Sequence, residues 1–173
     1  MNKKIMYIIT ILSTAVLLFL DQIAKYLAVL HLKGQAAIPI IKNVFELQYL
    51  ENQGAAFGIM QGKKTFFVIG TLIFLVIVVI LYHNIPLTKR FTPIRIVAVL
   101  IVAGAIGNMI DRVVHQYVID FFYFKLINFP IFNVADIYVV VACILFILLM
   151  LFYYKEEELG QIFPFMKSKK VEE

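Results

Sequence analysis

Four stretches of the chain are apolar over a length that crosses roughly 30 Å of hydrocarbon as helix. They are residues 5–30, 65–82, 94–110 and 136–154; none contains a proline, and the second and fourth carry no charge between their ends. Four spans put both termini on one side of a membrane. Lys3 and Lys4, the short loop with Lys89, Arg90 and Arg95, and the tail with Lys167, Lys169 and Lys170 then share that side, which the positive-inside rule makes the cytoplasm. Lys33, Lys42, Lys63 and Lys64 fall on the other side, spread over a longer segment. The first span follows two lysines as a secretory signal would, yet it is long, lacks a small-x-small cleavage site and runs into Asp21 to Lys25. It reads as a retained anchor. The tail, 155–173, is mixed in charge and reads as a frayed cytoplasmic end.

Between the spans the pattern changes. Segment 31–64 is apolar for a loop, and 44–51 alternates with period two, as a strand with one greasy face does. Residues 118–124 form a second β-leaning run, rich in aromatics. A small sheet lying on the outer membrane surface accommodates both. In the third span Ala103, Gly104, Ala105 and Gly107 form a small-residue patch that allows close helix approach. With no tryptophan, the interfacial belt falls to tyrosine and phenylalanine, and Tyr82, Tyr153 and Tyr154 stand where cytoplasmic ends are expected.

Composition agrees with a membrane protein: 62% hydrophobic, 16% charged, mean hydropathy +0.92. At 173 residues the chain has room for one domain, 1–173, and not for a transporter of two multi-helix halves. The net charge of +5 reads as loop charge set against anionic lipid, not as a nucleic-acid footprint.

Polar residues are concentrated. The four aspartates, Asp21, Asp111, Asp120 and Asp136, each lie near the end of an apolar run. The same topology brings all four to one face of the membrane. Carboxylates there are costly to desolvate and are paired, hydrogen-bonded or catalytic. Other chemistry is nearly eliminated. Ser13 lies mid-span and Ser168 in the tail. Cys143, two turns into the fourth span, reads as a buried structural thiol. His31, His83 and His115 are scattered, without zinc-site spacing, and no glycine pattern cradles phosphate.

The carboxylates remain. Two held close cannot both ionise cheaply, so one can act as base on a water while the other donates to a carbonyl. Asp120, flanked by apolar residues that raise its pKa, and Asp136, at a helix start that favours an anion, are the best pair. Asn133 with an acid three residues on also matches a capping box, and from the residues alone catalysis and capping stand level for Asp136. Asp21 and Lys25 are spaced for an i, i+4 salt bridge that explains both. Arg112 can neutralise Asp111 or Asp120, or organise backbone carbonyls. The segment from Asn52 to Gly58 is the most loop-like; its glycines allow close approach to a ligand or a tight turn. A proton- or cation-conducting subunit is the competing class, but the acids crowd one face instead of crossing the bilayer. A purely structural assembly factor leaves the asparagines and Arg112 unexplained.

Taken together these segments resemble the lipoprotein signal peptidases (signal peptidase II), bacterial aspartic peptidases of the membrane. D-Q-x-x-K is matched by Asp21, Gln22 and Lys25; N-x-G-x-A-F-G by Asn52, Gly54, Ala56, Phe57 and Gly58. G-N-x-x-D-R is matched by Gly107, Asn108, Asp111 and Arg112; V-x-D-F by Val118, Asp120 and Phe121; F-N-x-A-D by Phe132, Asn133, Ala135 and Asp136. The resemblance implies an α-helical membrane fold of four transmembrane helices with a small extracytoplasmic β-sheet, or cradle, and a short, mobile periplasmic helix. It implies Asp120 and Asp136 as catalytic dyad, with Asn52, Gly54, Asn108, Arg112 and Asn133 lining or supporting the substrate site. Asp21, Lys25 and Asp111 then give structural support. The implied substrate is a diacylglyceryl-modified prolipoprotein in the bilayer of the bacterial cytoplasmic membrane, cut just before its lipidated cysteine, with globomycin as inhibitor. No metal, organic cofactor or nucleic acid is implied, and the protein is expected as a monomer.

Overall fold

The computed structural model describes residues 2–54 and 64–163. Ala56, Phe57 and Gly58 of the loop motif, Lys63 and the tail residues from 164 on lie outside the described residues. Helix α1 (Lys3–Leu32) leads into a hairpin of β1 (Ile38–Ile41) and β2 (Phe45–Asn52). Then come α2 (Lys64–Asn84), α3 (Thr92–Val114), β3 (Val118–Tyr123), α4 (Val134–Leu148), continued by a π-helical turn at Leu149–Tyr153, and α5 (Glu156–Ile162). Four of these helices are long and apolar enough to cross a membrane. Their outer faces stay apolar, with Ile11, Phe19, Leu30, Val79 and Leu151 all exposed.

Small residues bring the helices together. A Cβ on Gly104 would lie 2.5 Å from the Ala135 carbonyl oxygen, and one on Gly107 would lie 2.5 Å from the Asp21 carboxylate. The close approach predicted from the small-residue patch is therefore real, and at Gly107 it makes room for a side chain that carries charge.

The three strands form one antiparallel sheet in the order β1-β2-β3. β1 was not anticipated from the pattern, and the predicted alternation of β2 does not carry through. Leu47 pairs with Phe122 but Leu50 with Asp120, so a bulge places one extra residue in β2 and shifts its faces. Glu46 is consequently buried, paired with Lys125 at 3.0 Å, while Leu50 is exposed. The connection from α3 to β3 is short, and Gln116 takes φ +74° to make it. The 3₁₀ turn Lys125–Ile127 is the one short helical element described beside the sheet; the loop 55–63 lies outside the described residues.

At the opposite end the sequence reading needs three corrections. The start of the tail is not frayed: α5 packs Leu159 and Ile162 into a cluster with Met6, Tyr82, Phe91 and Tyr154. Arg90 holds it through a two-pronged bond to Glu158, at 2.9 and 3.1 Å, and lies 3.8 Å over the Tyr153 ring. Tyr82 and Tyr154 are core residues, not members of a belt; Tyr82 bonds to Thr10 and Tyr154 stacks on Phe91. Cys143 faces outward from α4 instead of being buried, because Ala142 takes the inward position.

Candidate active site

Lys25 of α1 is almost wholly enclosed and spends its three ammonium hydrogens on three acceptors. These are Asp21 Oδ2 at 3.0 Å, Asp111 Oδ2 at 2.9 Å and Asn108 Oδ1 at 2.9 Å. A buried ion cluster is tolerable only when it is satisfied in this way. Gln22 completes it, donating to Asp21 and Asp111 at 3.1 and 3.2 Å. The predicted Asp21–Lys25 pair is present, within α1, which runs on to Leu32.

The same two acids reach the backbone of other elements. Asp21 Oδ1 accepts the Ala135 N–H at 2.9 Å, at the start of α4. Asp111 Oδ2 accepts the Ile119 N–H at 3.1 Å, in β3. Each bond falls on the residue preceding another aspartate, Asp136 in one case and Asp120 in the other. The ion cluster thus fixes the two elements that carry the candidate catalytic acids.

Asp120 is 1% exposed. Its Oδ1 accepts from Asn133 Nδ2 at 2.6 Å and its Oδ2 from Asn52 Nδ2 at 2.9 Å. Burial, followed by the charge of Asp136, pushes its pKa up to about 7 against the opposing pull of these two amides. Asp136 Oδ1 accepts from Asn108 Nδ2 at 2.8 Å, and its Oδ2 accepts the Asn133 N–H at 3.0 Å. Asn133 Oδ1 in return accepts the Asp136 N–H, which completes the capping box read from the sequence. Capping does not displace the other reading of Asp136, because its Oδ1 still faces Asn108.

Asn52, Gly54, Asn108, Arg112, Asp120 and Asp136 lie together on one cavity of about 480 Å³. Its other walls are apolar: Phe124, Phe129, Pro130, Ile131 and Phe132 beyond β3, with Ile137, Val140 and Val141 on α4. Sequence reading missed these walls, although the aromatic content of 121–132 was their signal. Asn133 is fully buried behind the acids and does not line the cavity. Arg112 organises carbonyls, donating to Gly54 O at 3.2 Å and Asn108 O at 3.3 Å, and its guanidinium lies 4.8 Å from the Phe67 ring centroid. Among the described residues no three His, Cys, Asp or Glu side chains converge to hold a metal ion.

Four apolar helices, with Asp120 buried and Asp136 half-buried on one apolar-walled cavity, define a multi-pass membrane protein with a pair of acids at its candidate site. The family model for signal peptidase (SPase) II matches residues 13–152. The lipoprotein signal peptidase of Caldanaerobacter subterraneus subsp. tengcongensis is 44% identical over 136 residues, 78% of this chain and 90% of that one. That of Streptococcus pyogenes serotype M5 is 38% identical over 150 residues, covering 87% and 95%. A solved bacterial membrane enzyme, determined by the in meso method at 2.3 Å, superposes with TM-score 0.74 at 35% identity, covering 82% of this chain and 87% of the other. The chain belongs to the signal peptidase II family and is a membrane peptidase of bacterial type.

Proposed function

We propose that Asp120 and Asp136 work as one acid–base pair that cuts diacylglyceryl-modified prolipoproteins just before the lipidated cysteine. The carrying observation is that both acids line one cavity while the pKa of Asp120 is pushed up to about 7, by burial first and by the Asp136 charge second. The pair then shares one proton, with Asp120 as the acid and Asp136 as the base.

Asp136 takes a proton from water as the water oxygen bonds to the scissile carbonyl carbon. Asp120 gives its proton to the carbonyl oxygen, and a neutral tetrahedral diol results. One diol hydroxyl returns a proton to Asp120 as the C–N bond breaks, and Asp136 passes its proton to the leaving nitrogen. Asn108 and Asn133 fix the positions of the two carboxyls through their amide donors. Asn52 and the Gly54 carbonyl, steadied by Arg112, bound the peptide side of the cavity. The apolar wall of Phe129, Val140 and Val141 suits the lipid-bearing residue.

The positive-inside reading puts both termini in the cytoplasm and this site at the outer face of the membrane, where a membrane-held precursor can reach it. The protein acts as a single domain and a monomer, and globomycin occupies the substrate cavity.

The test is incubation of purified protein with a diacylated prolipoprotein, followed by mass analysis of the new amino terminus. A lipid-modified cysteine at that terminus is expected, with the unlipidated precursor cut far more slowly because binding of the remote lipid positions the reacting bond. Equal rates on both precursors would remove the lipid from the mechanism.

A further inference from the structure

A second cavity, of about 630 Å³, lies between α1 and α3 at the end of the bundle opposite the aspartates. It runs along α1 from Met6 to Leu17 and along α3 from Thr92 to Leu100. The eleven helical steps from Met6 to Leu17 rise roughly 16 Å, about the depth of one leaflet of hydrocarbon. The walls are apolar, and several of them, Ile9, Leu12, Val16 and Ile96, are half exposed on the outer surface of the bundle. The cavity is therefore a groove open to lipid.

One charged side chain lines this groove: Arg95, only 6% exposed. Its Nη1 donates to Thr88 O at 3.3 Å and its Nη2 to Pro86 O. Its Nε is buried with no hydrogen-bond partner. Among the described residues no carboxylate lies within ion-pair distance of it. A buried guanidinium that is not neutralised, with a free N–H, is costly unless an anion completes it.

We propose that this groove binds one anionic phospholipid from the leaflet at that end of the bundle. One acyl chain lies along the α1–α3 groove and the phosphate oxygens accept from Arg95. Charge complementarity selects the occupant: an uncompensated buried cation at the mouth of an apolar slot one leaflet deep matches a diacyl lipid of net negative charge. With the topology proposed above, this is the cytoplasmic leaflet. Exposed Lys3 and Lys4, at the start of α1, add attraction for the same headgroup.

The test is native mass spectrometry of the full chain, released from detergent and titrated with phosphatidylglycerol or phosphatidylcholine. One phosphatidylglycerol should be retained more tightly than phosphatidylcholine, and inorganic phosphate should not displace it. Arg95→Gln should weaken that binding by about tenfold, the worth of one charge-assisted bond. Val16→Phe fills the groove from its exposed side, leaves Arg95 and its carbonyl partners in place, and should weaken binding to a similar degree. Equal retention of both lipids, displacement by phosphate, or unchanged binding in folded Val16→Phe protein would overturn the proposal. Bound lipid is read without any cleavage, so this result stands apart from the fate of the dyad.

Discussion

Asp21 Oδ1 accepts the main-chain N–H of Ala135 at 2.9 Å, tying α1 to the residue immediately before Asp136. Asp111 does the same for β3 through Ile119, immediately before Asp120. Lys25 bonds both supporting acids and, through Asn108, touches the chain of contacts to Asp136 itself. The ion cluster and the candidate dyad are therefore one construction, with charge on the inner layer setting backbone positions for the outer one.

Gly107 is where this construction can be tested without touching a polar group. A Cβ there would stand 2.5 Å from Asp21 Oδ2, so Gly107→Ala forces the carboxylate away from Ala135. We expect a loss on the order of 1–3 kcal/mol and a fall in cleavage rate of about a hundredfold, typical of a small misplacement of reacting groups. Gly70 is the control, with nothing within 4 Å of its added Cβ. Gly70→Ala should melt no lower than the parent, since alanine is the better helix former. Thermal unfolding in detergent and cleavage of a lipidated precursor measure both.

Asn133 separates capping from chemistry. Its oxygen caps α4 while its amide nitrogen donates to Asp120 and, at 3.1 Å, to Asn108. Serine caps a helix about as well as asparagine but is too short to reach Asp120. Asn133→Ser should keep α4 folded and lose most activity, and Asn133→Ala should lose both. Full activity in the serine variant would reduce Asn133 to a cap.

The site was more legible in the sequence than the frame around it. Costly groups such as Asp120, Asp136 and Lys25 stand out against an apolar chain because burial demands partners, and every one of those three found them. Cheap groups carry no such mark. β1 is four residues of ordinary apolar loop composition, and its strand state follows from pairing with β2 alone. The bulge in β2 adds one residue and reverses a face, which period-two reading cannot foresee. α5 looked like a charged tail, yet its two apolar positions, Leu159 and Ile162, lie three apart on one face and are buried against other helices. The outward position of Cys143 was hidden because an apolar helix in lipid has no polar side to set its rotation.

An ordinary aspartate titrates near 3.9, and Asp120 in the folded protein near 7. The folded state thus keeps a proton that the unfolded chain releases. Its stabilising effect is fully present below pH about 4 and is lost as pH rises through about 7. The melting temperature should fall across that window, and Asp120→Asn, which cannot ionise, should flatten the fall. Cleavage by the parent should decline above pH about 7 as the pair loses its shared proton. A melting temperature that rises with pH across the same interval, through a transition absent in Asp120→Asn, would reverse the assignment.

The dyad itself makes the sharpest test. Asparagine is nearly isosteric with aspartate but can neither take nor give the shared proton, so Asp120→Asn and Asp136→Asn should each abolish cleavage. Stability should change little, because two effects oppose. Removing one of two close acids relieves repulsion on the order of 1 kcal/mol. Against that, each carboxylate oxygen accepts a donor: Asn52 and Asn133 at Asp120, Asn108 and the Asn133 N–H at Asp136. An asparagine offers one oxygen where the aspartate offered two, and loses one of these bonds at a similar cost, about 1 kcal/mol. Because the two acids act as a unit, the double variant should be no less active than either single one. Folding is checked by detergent melting and chemistry by single-turnover cleavage of the lipidated precursor. Substantial turnover in either well-folded single variant removes that residue from catalysis, and an additive loss in the double variant means that the two acids do not share a proton.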